Sequence, residues 1–198
     1  MKFKMKLKIL TTSVFLLAFG CFSSPSQAQN QQLVQKLLET KECRNCDLFG
    51  VSLTNANLTR AILGEAILTT ADLSGANLTS AFLREASLRY SNLSNATLIQ
   101  ANLSSAVLTL ASLNNANLNR ADLREAYLFD ANLIGANLSR ANLSRANLLS
   151  ADLTGANLQG ALLFEANLKN ANLTNADLTG ANLCNAIMPD GSKSLQGC

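Results

Sequence analysis

Two cysteines three residues apart, Cys43 and Cys46 in "CRNC", are the residues best suited to chemistry in this chain. Their spacing serves thiol–disulfide exchange, a share of a zinc site, or a structural disulfide. Exchange needs a thiol of lowered pKa, which a helix N-terminus supplies, and "CRNCDLFG" runs straight into an extended segment. Zinc needs four ligands gathered together. The chain has 0 histidines, and Cys184 and Cys198 stand at the far end of the sequence. A structural staple is the reading that these residues favour. The missing histidine also excludes acyl-transfer triads and the usual general base. Neither an enzyme nor a metal or cofactor site is therefore expected.

Charged residues form a second pattern. Glu65, Glu85, Glu125 and Glu165 recur in steps that are multiples of twenty, and Arg60, Arg120 and Arg140 occupy the place five residues earlier. Arg84–Glu85 returns as Arg124–Glu125. Such a strip is either a charged docking surface or a solvated corner whose like charges are offset by neighbouring arginines.

The regular spacing comes from a period of five. Every fifth residue from Leu48 to Leu183 is leucine, and Met188 takes the next place. Two residues earlier, from Ala56 to Ala186, stands alanine, with Ser91 the exception. On an extended segment, residues two apart point the same way, so each Ala–Leu pair faces one interior. The other two residues must turn the chain, and the glycines of the tract, among them Gly75, Gly135, Gly155 and Gly180, fall at these positions. A helix fails the same test, because leucines five apart advance about 140° and wrap its whole surface. A chain that keeps turning with its leucines inside is a solenoid, stacked through parallel hydrogen bonds. Both prolines, Pro25 and Pro189, lie outside the tract, where no ladder donor is lost.

Tandem A-[D/N]-L-x-x units such as "ADLTGANLQG" at 151–160 resemble the pentapeptide-repeat proteins. The resemblance implies an all-β fold: a right-handed quadrilateral parallel β-helix of four pentads per coil. About seven coils at ~4.8 Å per layer make a rod of about 34 Å. The residues between Ala and Leu offer a separate check on four sides. They are large and apolar at Ile62, Phe82 and Leu162, and at Ile67, Val107, Tyr127 and Ile187. Counted in twenties, each group falls in one column and the two columns are adjacent.

The ends differ from the tract. "MKFKMKLK", the apolar run 9–22 and "SSPSQAQ" read as a signal peptide over residues 1–28, cleaved after Ala28. A lipoprotein signal ending at Cys21 is the weaker rival, because Phe19 stands where a small residue is usual. Loss of Lys2, Lys4, Lys6 and Lys8 turns 16 basic against 13 acidic groups into 12 against 13. The basic balance of the whole chain is then no sign of nucleic acid or of an anionic membrane, and neither is expected as a partner of the mature form. Residues 29–45 form an N-terminal cap, with Leu33, Val34, Leu37 and Leu38 at helical spacing in a short helix. The β-helix covers 46–188, and 189–198 is the C-terminal cap. Exported cyanobacterial members of the family look similar at both ends, with a Cys-x-x-Cys and a closing "MPDGS" segment. That likeness implies periplasm or thylakoid lumen, with an extracellular site as a further option. The expected rod separates its two pairs of cysteines by far more than the ~6 Å between bridged Cα atoms. Cys43–Cys46 and Cys184–Cys198 are then the pairings expected, under oxidising conditions.

One side of the expected rod is apolar. It carries Ile67, Val107 and Tyr127 along its middle and Tyr90, Leu110, Phe129 and Leu149 near one edge, whereas the two opposite sides are mainly Asn, Thr, Ser and Gly. An apolar side on a rod marks a protein partner or a second copy. A convex rod without insertions offers no pocket for a small-molecule substrate. The expected function is an exported structural or interaction scaffold. Two alternatives stand beside it: a DNA-mimicking topoisomerase-binding protein, as in some family members, and a thiol oxidoreductase using Cys43 and Cys46. Near-zero mature charge and arginines among the surface carboxylates speak against the first.

Overall fold

The computed structural model describes residues 25–198. The leader expected over 1–28 lies outside the described residues except for 25–28, which begin the helix α1, Pro25–Thr40. Among the described residues no helix is long and apolar enough to cross a membrane.

After α1 the chain winds as a parallel solenoid of twenty residues per coil. Bridges join Glu42 to Ile62, Asp47 to Ile67, Ser52 to Asp72 and Asn57 to Asn77, and the same four columns continue to Asn167 and Ile187. The four columns define four sides. The first carries Ile62 and Phe82, the second Ile67, Val107 and Tyr127, the third Asp72 and Asn92, and the fourth Asn77 and Asn117. Each side contributes a single bridged residue rather than a strand of several, because the turn takes two residues of every five.

Within the tract, backbone partners take four of a pentad's five N–H groups, and the fifth explains why Asn and Asp recur. Around Phe82 the pattern is typical. Phe82 N–H donates to Ala61 O in the previous coil (2.8 Å), and Leu83 N–H donates to Asn102 O in the next (2.7 Å). Glu85 N–H donates to Ser104 O (3.0 Å), and Ala86 N–H closes a turn on Leu83 O (3.1 Å). The fifth donor, on the first turn residue, has no ladder partner and takes a side chain where Asn or Asp stands two residues before it. Thr79 N–H donates to Asn77 Oδ1 at 3.0 Å, and Ser94 N–H to Asn92 Oδ1 at 3.1 Å. A following hydroxyl adds a bond, as Ser94 Oγ does to Asn92 Oδ1 at 2.6 Å. The recurrent Asn-Leu-Ser and Asn-Leu-Thr triplets are therefore Asx-turns, with Asp serving equally well at Asp72 and Asp152.

The second turn residue has positive φ in every pentad from Asn45 to Asn185. Positive φ at that one place, closed by the Ala-to-Leu bond, is a type II turn. Gly75, Gly135, Gly155, Gly160 and Gly180 fit it without strain, while Gly64 occupies the other turn position with ordinary φ.

The interior is a stack of the inward pairs. Leu58 through Leu168 and the alanines between Ala61 and Ala166 are at most 1% exposed. Each buried leucine contributes ~1.5–3 kcal/mol before chain entropy is counted. Ser91 takes an alanine position and stays buried because its hydroxyl donates to Leu88 O at 2.8 Å.

The two ends are closed differently. From α1, Leu37 is fully buried, and Leu33 and Val34 pack against the core. Leu38, expected on the same buried face, is 40% exposed. The helix stops where Lys41 turns to φ +62°, and the Lys41 ammonium donates to Leu38 O (2.9 Å) and Asn57 O (2.6 Å). At the other end the tail folds back through a turn at Pro189–Gly191, and Lys193 pairs antiparallel with Ile187.

Candidate functional site

One disulfide stands at each end of the solenoid. Cys43–Cys46 (Cα–Cα 5.3 Å) ties the first turn after α1, and Cys184–Cys198 (Cα–Cα 4.9 Å) holds the tail to the last coil. Cys43 is only 3% exposed. The pair follows the C-terminus of α1 at Thr40, so no helix N-terminus points at either sulfur. Lys36, Glu42, Arg44 and Ile62 line a shallow cavity of about 350 Å³ beside it. Among the described residues no cluster of His, Cys, Asp or Glu could hold a metal ion.

The charged residues fall on two corners rather than one strip. Glu65, Glu85, Glu125 and Glu165 follow one another at the turn between the first and second sides. There Arg44 faces Glu65 (3.6 Å), Arg84 grips Glu85 (2.8 Å) and Arg145 reaches into the next coil to Glu165 (2.8 Å). Arg124 breaks the expected repeat. It forks onto Asp122 with two bonds of 2.8 and 2.7 Å and leaves Glu125, because Asp122 sits on the bridge position beside it, where Phe82 stands in Arg84's coil. Burial raises the Asp122 pKa, but the Arg124 hydrogen bonds and charge outweigh it and hold the carboxyl below its usual value. Arg60, Arg120 and Arg140 belong to the opposite turn of the first side and make no ion pair among the described residues. The arginines that offset the glutamates are thus their own corner's. The three read as partners in sequence point elsewhere.

The apolar residues gather on the second side and the turn that follows it. Val107 bridges directly to Tyr127, which is 51% exposed. At the turn, Tyr90 N–H donates to Thr109 O, Leu110 N–H to Phe129 O (3.0 Å) and Asp130 N–H to Leu149 O (3.1 Å). Tyr90, Leu110, Phe129 and Leu149 therefore climb one corner, one coil at a time. Tyr90 is 54% exposed and Leu110 43%, whereas Val107, Phe129 and Leu149 are half-buried. Ile67 lies lower on the same side, separated from Val107 by Ser87. Phe49, in the first coil, adds an exposed ring at the foot of this corner, beside the open groove that Val34 and Leu38 of α1 form with Val51.

Two costs coincide at this corner. Tyr90 and Leu110 have φ of +57° and +58° and, among the described residues, are the only aromatic or aliphatic ones at a left-handed turn position. Such a position is unfavourable for a bulky side chain, and exposure of that side chain gains nothing back. Val107 and Tyr127, apolar at the bridge position, also lack the side-chain acceptor that Asn or Asp offers the next turn. Sequence patterning located these residues but could not see the backbone strain, because the turn positions of a pentad look alike until φ is known.

The model for pentapeptide repeats matches in 8 copies, from residues 42–64 to 151–189. None of the curated proteins matches the chain. Among solved structures, HetL from the cyanobacterium Nostoc sp. strain PCC 7120, a pentapeptide repeat protein involved in heterocyst differentiation regulation, is 39% identical. The match covers 77% of this chain and 83% of HetL, with a TM-score of 0.40. A pentapeptide repeat protein of the Arabidopsis thaliana thylakoid lumen is 32% identical over 56% of this chain and 70% of its own, with a TM-score of 0.32. QnrB1, a plasmid-mediated fluoroquinolone resistance protein, is 18% identical over 79% and 87%, with a TM-score of 0.45. Repeat matches that run from residue 42 to 189 lead to one conclusion: the chain belongs to the pentapeptide repeat family.

Proposed function

We propose that this protein is an exported, non-enzymatic interaction scaffold: a right-handed four-sided rod that docks a protein partner on its second side. The observation that carries the reading is the pair Tyr90 and Leu110, bulky apolar residues held exposed at left-handed φ where Gly or Asn would be more stable. Large apolar side chains exposed in adjacent coils, beside Tyr127 and Phe129, fit a surface retained for binding. Export rests on the basic and apolar first residues and agrees with two disulfides, which persist in oxidising compartments such as the periplasm or thylakoid lumen.

Affinity capture from the exported compartment tests it, with the wild type and a Tyr127→Asp, Phe129→Asp variant as baits. A protein held by the first and released by the second supports the docking side. The same proteins on both baits would remove it.

The two other functional readings find less support. A duplex-like surface needs a line of unpaired negative charge, and three of the four glutamates at the glutamate corner are held in ion pairs. Inhibition of gyrase supercoiling at micromolar protein would restore that reading. A thiol oxidoreductase needs an accessible low-pKa thiol, and Cys43 is buried at a helix C-terminus. Turnover in an insulin-reduction assay, lost on Cys43→Ser, would restore that one.

A further inference from the structure

The C-terminal end of the rod is closed on only two of its four sides. Over the first and second sides the tail pairs with the last coil. Gln196 Nε2 donates to Ala181 O (3.3 Å), while Leu183 N–H and Asn185 N–H donate to Gln196 O (3.0 Å) and Ser194 O (2.9 Å). Ser194 N–H donates to Ala186 O (2.9 Å), and Met188 N–H donates to Ser192 O (2.8 Å). Ten residues earlier, on the third and fourth sides, stand the same five groups: Ala171 O, Leu173 N–H, Asn175 N–H, Ala176 O and Leu178 N–H. Among the described residues none of these has a hydrogen-bond partner. The leucine stack also opens here, for Leu173, Ala176 and Leu178 are half-exposed while Leu163 and Leu168 are fully buried.

We infer that this open edge is a second binding site, independent of the apolar corner, which takes an extended segment of another polypeptide in antiparallel pairing. The chain's own tail defines the occupant, since it meets the identical set of donors and acceptors on the neighbouring two sides. The tail sets Lys193 opposite Ile187, and a segment bound in the same way sets its equivalent residue opposite Asp177. The Asp177 carboxylate is kept ionised by the Thr179 hydroxyl and amide and by Gln159, so a basic residue in the occupant is favoured there. Strand addition of this kind takes its affinity from main-chain bonds and its selectivity from such alternate side chains.

The test uses the 15N-labelled protein and a blocked peptide of the tail's own sequence, GSKSLQG. The control peptide carries proline in place of its second serine, which removes the donor equivalent to Ser194 N–H. Saturable shifts of the Leu173, Asn175 and Leu178 amides are expected with the first peptide, at least tenfold weaker with the control, and weakened in Asp177→Lys protein. The thermal midpoint of that variant checks that it is folded. The inference is overturned by no saturation up to about 5 mM, a regime in which even a weak millimolar contact is visible. Equal binding of the control, or shifts confined to other sides, overturns it as well. Concentration-dependent shifts of the same amides without peptide would make the occupant a second copy and refute the proposal as stated. None of these outcomes depends on Tyr90 or Leu110, so the docking corner is tested separately.

Discussion

At the scale of the residue, each pentad position answers a backbone need. Asn and Asp recur between Ala and Leu because a turn N–H would otherwise lack a partner, and an aspartate in that role is held ionised by the bonds it accepts. The Ser74 hydroxyl and amide lower the Asp72 pKa, and Ser192 does the same for Asp190. Carboxyls depressed by folding add stability that is fully present above the unfolded value near 3.9 and is lost as pH falls through the folded one. The thermal midpoint should therefore be flat above about pH 5 and fall progressively below about pH 4. Asp72→Asn keeps the acceptor and should reduce that acid slope without loss at neutral pH. The left-handed position makes its own prediction. Nothing lies within 4 Å of a Cβ placed on Gly155, so Gly155→Val is strained only through its φ of +65° and should cost about 1–2 kcal/mol in chemical denaturation.

At the scale of the element, the repeat was legible and the ends only partly so. Leucine every fifth residue implied an inward stack, and the apolar columns at Ile62 and Ile67 implied four sides, since a twenty-residue period needs no more than counting. The cysteine pairs also followed from the rod. Side-chain direction within the charged strip did not follow, because the choice of Arg124 between Asp122 and Glu125 depends on what stands at the bridge position two residues before it. The closure of the last coil was equally hidden, for "GSKSLQGC" carries no period and takes its shape from the edge it covers. The Cys184–Cys198 bridge spans a sequence separation of 14 and holds that tail in place. Its loss in Cys198→Ser should cost at most ~3 kcal/mol by the loop-entropy relation. Hydrogen exchange should quicken first at Leu183 and Asn185, whose amides the tail covers, and a uniform change along the rod would show that the tail is not a separate unit.

At the scale of the molecule, stability comes from one unbroken stack in which each coil covers the next. Leu118, 1% exposed in its middle, is a direct probe. Leu118→Arg places an unpaired charge inside and should abolish a single cooperative melt, whereas unchanged unfolding would be incompatible with the solenoid. Against this regular background the second side stands out as the place where stability is given up. Tyr90→Gly and Leu110→Gly relieve left-handed strain, a net gain of about 0.5–1 kcal/mol each after the entropy of glycine. Tyr127→Asn restores the missing acceptor for the Phe129 amide, worth ~0.5–1.5 kcal/mol. The most direct measurement pairs the melting of this triple variant with its retention of proteins from the exported compartment. A docking side predicts a variant that melts above the wild type and releases a protein the wild type holds. A variant that melts higher and holds the same proteins would contradict the account and leave the rod without a binding side.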